Sequence, residues 1–200
     1  METSTVLAVI ISFIGFFICL SVHEAAHAFV AYKLGDPTSK VLGRMTLNPL
    51  AHIDPIGTVV VPIFLILTGL PAFGWAKPVM VDIRNFQKPS VDNFMTALAG
   101  PISNLLFAIL LAFIIRLFPI VSFLGLLVQI NVILAVFNLL PIPPLDGSKV
   151  WHLILPDESY IALERMGPFI LIAILIFSNS YGGFLFNLID QIANFILRII

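Results

Sequence analysis

Two histidines stand four positions apart with a glutamate beside the first, in His23-Glu24-Ala25-Ala26-His27. On a helix, positions i and i+4 lie about 40° apart on one face, so both imidazoles can turn a nitrogen to one metal ion. Zinc in a catalytic site takes three protein ligands and keeps one position open, and a carboxylate beside that position can take a proton from water. With 4 His and 11 Asp+Glu in 200 residues, chance would place this motif in roughly 0.004 of sequences of the same composition, so the pattern is specific. The plainer reading is a polar rim closing an apolar helix. Against it, Ala28, Phe29, Val30, Ala31 and Tyr32 carry the apolar run past His27. Ionisable groups inside an apolar span are costly and mark function.

A third ligand is required, and Asp146 leads in Asn138-Leu139-Leu140-Pro141-Ile142-Pro143-Pro144-Leu145-Asp146-Gly147. Three prolines in four residues end the helix and remove amide hydrogens that would be orphaned in an apolar place. The rivals are Asp54, Asp36 and His52, and a simple turn at Asp146-Gly147 is the plainer alternative.

These residues need elements to carry them, and composition says what kind. Charged residues are 10% of the chain against about 25% in soluble domains, and hydrophobic residues are 60% against about 45–50%. Mean hydropathy is +1.08. The solvent is the lipid bilayer. A net charge of -1 gives no basic field, which excludes nucleic acid as a partner. Cys19 is the single cysteine, so there is no intrachain disulfide and no cysteine metal site.

Uncharged runs cover residues 3–22, 93–115 and 117–145, each long enough for a hydrocarbon core needing about 20 residues. The acidic N-terminus, followed directly by the His motif, reads as a retained span and not as a signal peptide. Residues 167–189 are also uncharged, with a turn cluster at 178–183, which predicts a hairpin. Residues 57–73 are apolar but interrupted by Pro62, Gly69 and Pro71. Re-entry of that segment puts Lys33, Lys40, Arg44, Lys77, Arg84 and Lys88 on one face, as the cytoplasmic excess of cations requires. It also brings Asp146 to the depth of His23, whereas a full crossing would strand it about 30 Å away. Alternation at Val79, Val81 and Ile83 predicts short surface strands within 43–55 and 74–86. The expected fold is an all-α polytopic membrane protein with about five transmembrane helices, a re-entrant segment and short surface β-strands. It forms one domain over 1–200, with a catalytic core at about 3–150 and a membrane hairpin at about 166–200.

The combination of His23 to His27 in a membrane helix, Ala99-Gly100-Pro101-Ile102-Ser103-Asn104, and Asn138 to Gly147 resembles the site-2 protease family of intramembrane zinc metalloproteases. The stretches Gly43 to Pro49, His52 to Pro55 and Gly74 to Val79 are similar to its compact branch without a PDZ domain, although Met80 stands where a proline is common. The resemblance implies that His23, His27 and Asp146 bind Zn²⁺ and that Glu24 is the catalytic base. It suggests Asn138, and less strongly Asn104, as a donor to the oxyanion, while a packing role for both amides stays open. It also suggests that the 74–86 loop captures an unwound substrate as an added strand. His52 reads as a loop histidine, His152 as interfacial, and Arg44, Lys77 and Arg84 as an inner-leaflet anchor.

The resulting expectation is a multi-pass zinc endopeptidase of the cell (cytoplasmic, inner) membrane, cutting in or near transmembrane segments of protein substrates. The competing class is a zinc-containing membrane protein that binds or escorts without cutting. Glu24 discriminates them, because a structural zinc site closes with four protein ligands and has no use for a free base. A metal transporter ranks last, since outside the His/Asp cluster the spans offer little beyond Asn104, Gln129, Asn131 and Asn138.

Overall fold

A computed structural model describes residues 3–68, 77–119, 124–178 and 183–199. Among them the chain is helical with no strand. Helix α1 runs Thr3–Lys33, α2 Thr38–Val41, α3 Val61–Leu67, α4 Pro89–Leu117, α5 Gly125–Asn138, α6 Asp157–Ser178 and α7 Phe184–Ile199. Among the described residues, Ile11–Lys33 and Pro89–Leu117 are long and apolar enough to cross a membrane, and Gly125–Asn138 is a shorter apolar helix. At 1.5 Å per residue, the 29 residues of α4 extend about 43 Å, beyond a hydrocarbon core of about 30 Å. Their outward faces carry Phe13, Ile14, Leu106, Leu110 and Phe113, all exposed. Such continuous apolar exposure suits a lipid solvent and not water.

The helices pair along their small residues. Helix α1 packs on α4 and α5, α4 packs on α5, and α7 lies against α5 and α4. The buried cluster at that junction is Ala108, Leu111 and Ala112 from α4, Val128 and Val132 from α5, and Ile189, Ala193 and Ile196 from α7. In lipid the drive to pair is close van der Waals contact, and alanines allow it by letting backbones approach. Helix α6 ends at Ser178 and α7 starts at Phe184, and the turn expected at 178–183 falls mostly on 179–182, outside the described residues. Helix α6 packs on the short 3₁₀ helix Asp146–Leu153.

The C-terminal end of α1 and the start of α4 each have a local cause. After Lys33 the Asp36 amide donates to the Ala31 carbonyl and the Gly35 amide to Tyr32, with Gly35 at φ +112°. This is the left-handed closure that ends helices and that a Cβ would oppose. Helix α4 starts at Pro89, whose missing amide hydrogen costs nothing in a first turn, and Asp92 reaches back to accept from the Lys88 amide.

The strands predicted in 43–55 and 74–86 do not form among the described residues, and the reason is visible in the hydrogen bonds. A strand needs another backbone to satisfy its amides and carbonyls. Here residues 77–82 are satisfied one group at a time. The Lys77 amide donates to the His52 carbonyl at 2.9 Å. The Val79 amide donates to Glu24 Oε2 at 2.9 Å, Ser39 Oγ donates to the Met80 carbonyl, and the Asp82 amide donates to Asp36 Oδ2 at 2.8 Å. Residues 74–76 of the predicted strand lie outside the described residues. In 43–55 the chain forms turns and a short 3₁₀ helix, Pro49–His52.

Asp36 is the hub of this arrangement. Fully buried, it accepts from the Asp82 amide, Asn85 Nδ2, the Thr38 amide and Thr38 Oγ1. Burial alone pushes its carboxyl up, but these bonds outweigh burial and hold it below its ordinary value. Asp36→Asn keeps the shape and turns one acceptor into a donor facing the Asp82 amide. It is expected to cost about 1–3 kcal/mol, read as a lowered thermal midpoint in detergent. An unchanged midpoint would remove Asp36 from this role.

Candidate metal centre

Helix α1 presents His23 and His27 on the face that packs against α4. Their rings meet edge to face, with centroids 4.6 Å apart. The two Nε2 atoms are 3.0 Å apart, and Asp146 Oδ2 lies 3.0 Å from that of His23 and 3.3 Å from that of His27. Four ligands set tetrahedrally at about 2.0–2.2 Å from zinc stand about 3.3 Å from one another, so this triangle has the size the metal needs. Among the described residues, these three form the group of side chains able to hold a metal ion. Three ligands leave the fourth position open.

The Nδ1 atoms point the other way, into α4. That of His27 lies 2.7 Å from the Thr96 carbonyl, and that of His23 lies 2.6 Å from Asn104 Oδ1. A carbonyl only accepts, so His27 carries its hydrogen on Nδ1 and directs the Nε2 lone pair at the centre. Such outer contacts fix ring orientation and raise ligand basicity. Glu24, on the next residue of α1, is buried and turned to the Val79 amide, outside the ligand triangle.

Close approach of α4 to the imidazoles depends on Gly100. A Cβ at that position would stand 2.4 Å from His27 Nε2 and 2.6 Å from His23 Nε2. Bare backbone is therefore the wall of the centre on the α4 side. Asp146 reaches the centre from the Pro141 to Leu145 break after α5. Trp151 Nε1 donates to the Pro141 carbonyl at 2.8 Å, holding the turn to that break. Lys149 donates to Tyr160 Oη and to Glu164 Oε1, fastening the same turn to α6. Burial pushes the Lys149 ammonium down, but its bonds to Glu164 and Tyr160 outweigh burial and hold it above its ordinary value.

The rival ligands are occupied elsewhere. Asp36 is the hub described above, and Asp54 accepts from the Ile56 and Gly57 amides at the start of its helical turn. His52 is fully buried with Nε2 3.0 Å from the Thr46 carbonyl. His152 stacks on Tyr160 at 4.7 Å. Arg44 donates to the Ala51 carbonyl, and Arg84 pairs with Asp82. Asn138 Nδ2 donates to the Leu134 carbonyl of its own helix at 3.0 Å, leaving its second amide hydrogen for another acceptor. Thr96 contributes through its carbonyl, which no sequence pattern marks. Asn131 enters through its contact with Asn104, and its only sequence signal is an amide in an apolar run.

The profile of peptidase family M50 matches residues 11–120 and 116–178. The chain belongs to peptidase family M50. It is 38% identical over 181 residues to YwhC of Bacillus subtilis, an alignment covering 84% of this chain and 80% of that protein. It is 31% identical to Rip2 of Mycolicibacterium smegmatis and 32% identical to Rip2 of Mycobacterium tuberculosis H37Rv, each over 88% of this chain and 70% of the relative. All three relatives are named as zinc metalloproteases. No solved structure matches the chain. With the histidine and aspartate donors above, this makes the M50 chain a membrane metalloprotease whose cofactor is Zn²⁺.

The Gly100 wall gives a test of the centre. Gly100→Ala improves helix propensity by about 1 kcal/mol, so the helix itself is not weakened. Its methyl group would displace both imidazoles, and the purified variant is expected to lose stoichiometric zinc by elemental analysis. Full zinc content in that variant would contradict the geometry.

Proposed function

We propose that this M50 chain is an intramembrane zinc endopeptidase that hydrolyses peptide bonds in or near transmembrane segments of other membrane proteins, and that His23, His27 and Asp146 are its zinc ligands. The observation that carries the reading is a three-membered ligand group, two histidines from the apolar helix α1 and Asp146 from the turn after α5, with a glutamate next to His23 and outside the group. A site that only held zinc for structure would close with a fourth protein ligand.

Zinc, when bound, supplies a Lewis acid that polarises the scissile carbonyl and makes water acidic enough to be deprotonated near neutral pH. Glu24 takes the proton from the attacking water and returns it to the leaving amine, the general base becoming the general acid. The Val79 amide orients the Glu24 carboxylate for this by occupying Oε2. The free amide hydrogen of Asn138 is the protein's candidate donor to the oxyanion. The Val79 amide of the extended stretch 77–82 bonds Glu24, so an unwound substrate backbone brought to Glu24 would lie beside this stretch. A substrate helix must open before it is cut, because its carbonyls are otherwise bonded within the helix.

The same reading places the chain as a multi-pass protein of the cytoplasmic membrane, one domain over 1–200, with residues 57–73 re-entrant. Support for re-entry comes from the Lys77 amide bonded to the His52 carbonyl, which puts the residues flanking that segment at one level. A full crossing would separate its ends by about 30 Å. Arg84 is exposed and lies past that return. Arg84→Cys is expected to resist a membrane-impermeant maleimide applied to intact cells and to react once the membrane is permeabilised. Ready labelling from outside would reverse the topology.

The proteolytic assignment is tested by comparing wild type with Glu24→Gln for bound zinc and for cleavage of a single-span substrate in bilayers. Both proteins are expected to hold zinc, and cleavage is expected to fall at least 10²-fold in the variant, the scale of a lost general base. Equal cleavage by both proteins would remove Glu24 from the chemistry. Zinc in both with no cleavage in either favours the escort reading.

A further inference from the structure

An amide side chain presents an oxygen and a nitrogen of nearly the same shape, and which of them faces a partner is settled by the surrounding donors and acceptors. Around Asn104 that accounting closes. Asn104 and Asn131 are both fully buried, on α4 and α5. Asn131 Nδ2 lies 2.8 Å from the Leu127 carbonyl and 3.0 Å from Cys19 Sγ. Because a carbonyl only accepts, the nitrogen of Asn131 must be on that side, and its Oδ1 is left facing Asn104 at 2.7 Å. Asn104 answers with Nδ2, whose second hydrogen goes to the Cys19 carbonyl at 3.1 Å. Two acceptors hold the Asn104 nitrogen in place. Its Oδ1 is thereby aimed at His23 Nδ1, 2.6 Å away.

We propose that Asn104, oriented by Asn131, is a positioning residue that holds His23 with its hydrogen on Nδ1 and its lone pair on Nε2, the atom turned to the metal centre. This rests on the zinc-site reading above. A neutral imidazole has two tautomers, and in the wrong one an N–H bond points at the metal. For His27 the Thr96 backbone carbonyl makes the choice, and for His23 a side chain makes it. The same accounting removes Asn104 as an oxyanion donor, because both of its amide hydrogens are spent on Cys19 and Asn131.

The test uses the full chain in detergent, with zinc affinity measured by chelator competition for wild type, Asn104→Leu, Asn131→Leu and Asp146→Asn. Asn104→Leu keeps the branching and the number of heavy atoms and removes the acceptor, and its zinc affinity is expected to fall 10–100-fold, as for other partners of metal-bound histidines. Asn131→Leu leaves Asn104 bonded to the Cys19 carbonyl and is expected to weaken zinc less than Asn104→Leu does. Wild-type affinity in Asn104→Leu would overturn the proposal. Wild-type affinity in Asp146→Asn would instead overturn the ligand assignment beneath it, so the two failures are distinguishable.

A second readout does not depend on how well the variants fold. In zinc-loaded wild type with ¹⁵N-labelled histidine, assigned by single substitution of the four histidines, His23 is expected to show a slowly exchanging Nδ1–H and an unprotonated, metal-bound Nε2. Coordination of His23 through Nδ1, or an Nε2–H, would overturn the proposal in the native protein itself. Where Asn104→Leu still holds zinc, its Nδ1–H is expected to exchange faster by at least tenfold. Unchanged exchange counts against the proposal.

Discussion

Polar side chains placed inside an apolar bundle must have each hydrogen and each lone pair taken up by the protein, because no bulk water is present to absorb the remainder. The packing of α1 against α4 follows from that constraint. His23 and His27 each have two ring nitrogens, and one of each is turned to α4, on Asn104 Oδ1 and the Thr96 carbonyl. The other nitrogen of each converges on Asp146. Satisfying the Nδ1 atoms is therefore what frees the Nε2 atoms for a metal, and it requires α4 to come near enough that Gly100 has no room for a side chain. Helix contact and metal geometry are two consequences of one requirement.

The same constraint shapes the segment over the site. Residues 77–82 would have to pair with another strand to be satisfied by backbone alone. They instead draw on Glu24, Asp36, Ser39 and the His52 carbonyl, all contributed by α1 and the turns after it. This fixes the segment beside Glu24. An isolated short hairpin is marginal in stability, whereas an extended segment clamped at successive residues is held in one place by its neighbours.

Asp146 is held differently from the histidines, because it comes from a broken helix end and not from a helix face. The prolines at 141, 143 and 144 leave few amide hydrogens to satisfy there. Bonds from Trp151 to the Pro141 carbonyl and from Lys149 to Tyr160 and Glu164 keep the following turn in register with the bundle. The result is a carboxylate set against two imidazoles with no fourth ligand among the described residues.

The sequence by itself determined the solvent, the helical class and the chemistry on offer. Runs of about 20 uncharged residues and the His23, Glu24 and His27 spacing carry that information locally, since a span needs length and a ligand pair needs one helical turn. It ranked Asp146 first as the third ligand, with Asp54, Asp36 and His52 as rivals that residue type alone could not dismiss. Among the described residues, tertiary structure brings Asp146 to the two imidazoles, while Asp36 accepts from the Asp82 amide, Asp54 Oδ1 from the Ile56 and Gly57 amides, and His52 lies against Thr46. The alternation at Val79, Val81 and Ile83 misled because alternation reports two faces, while a strand also needs a partner backbone, and the described residues supply none along this stretch. The Asn104 and Thr96 contacts with the histidines were beyond the sequence too. They join positions 81 and 69 residues apart, and one of them is a backbone carbonyl common to every residue type. Local spacing fixes what a residue can do, and packing across helices fixes which nitrogen, oxygen or proton is left to do it.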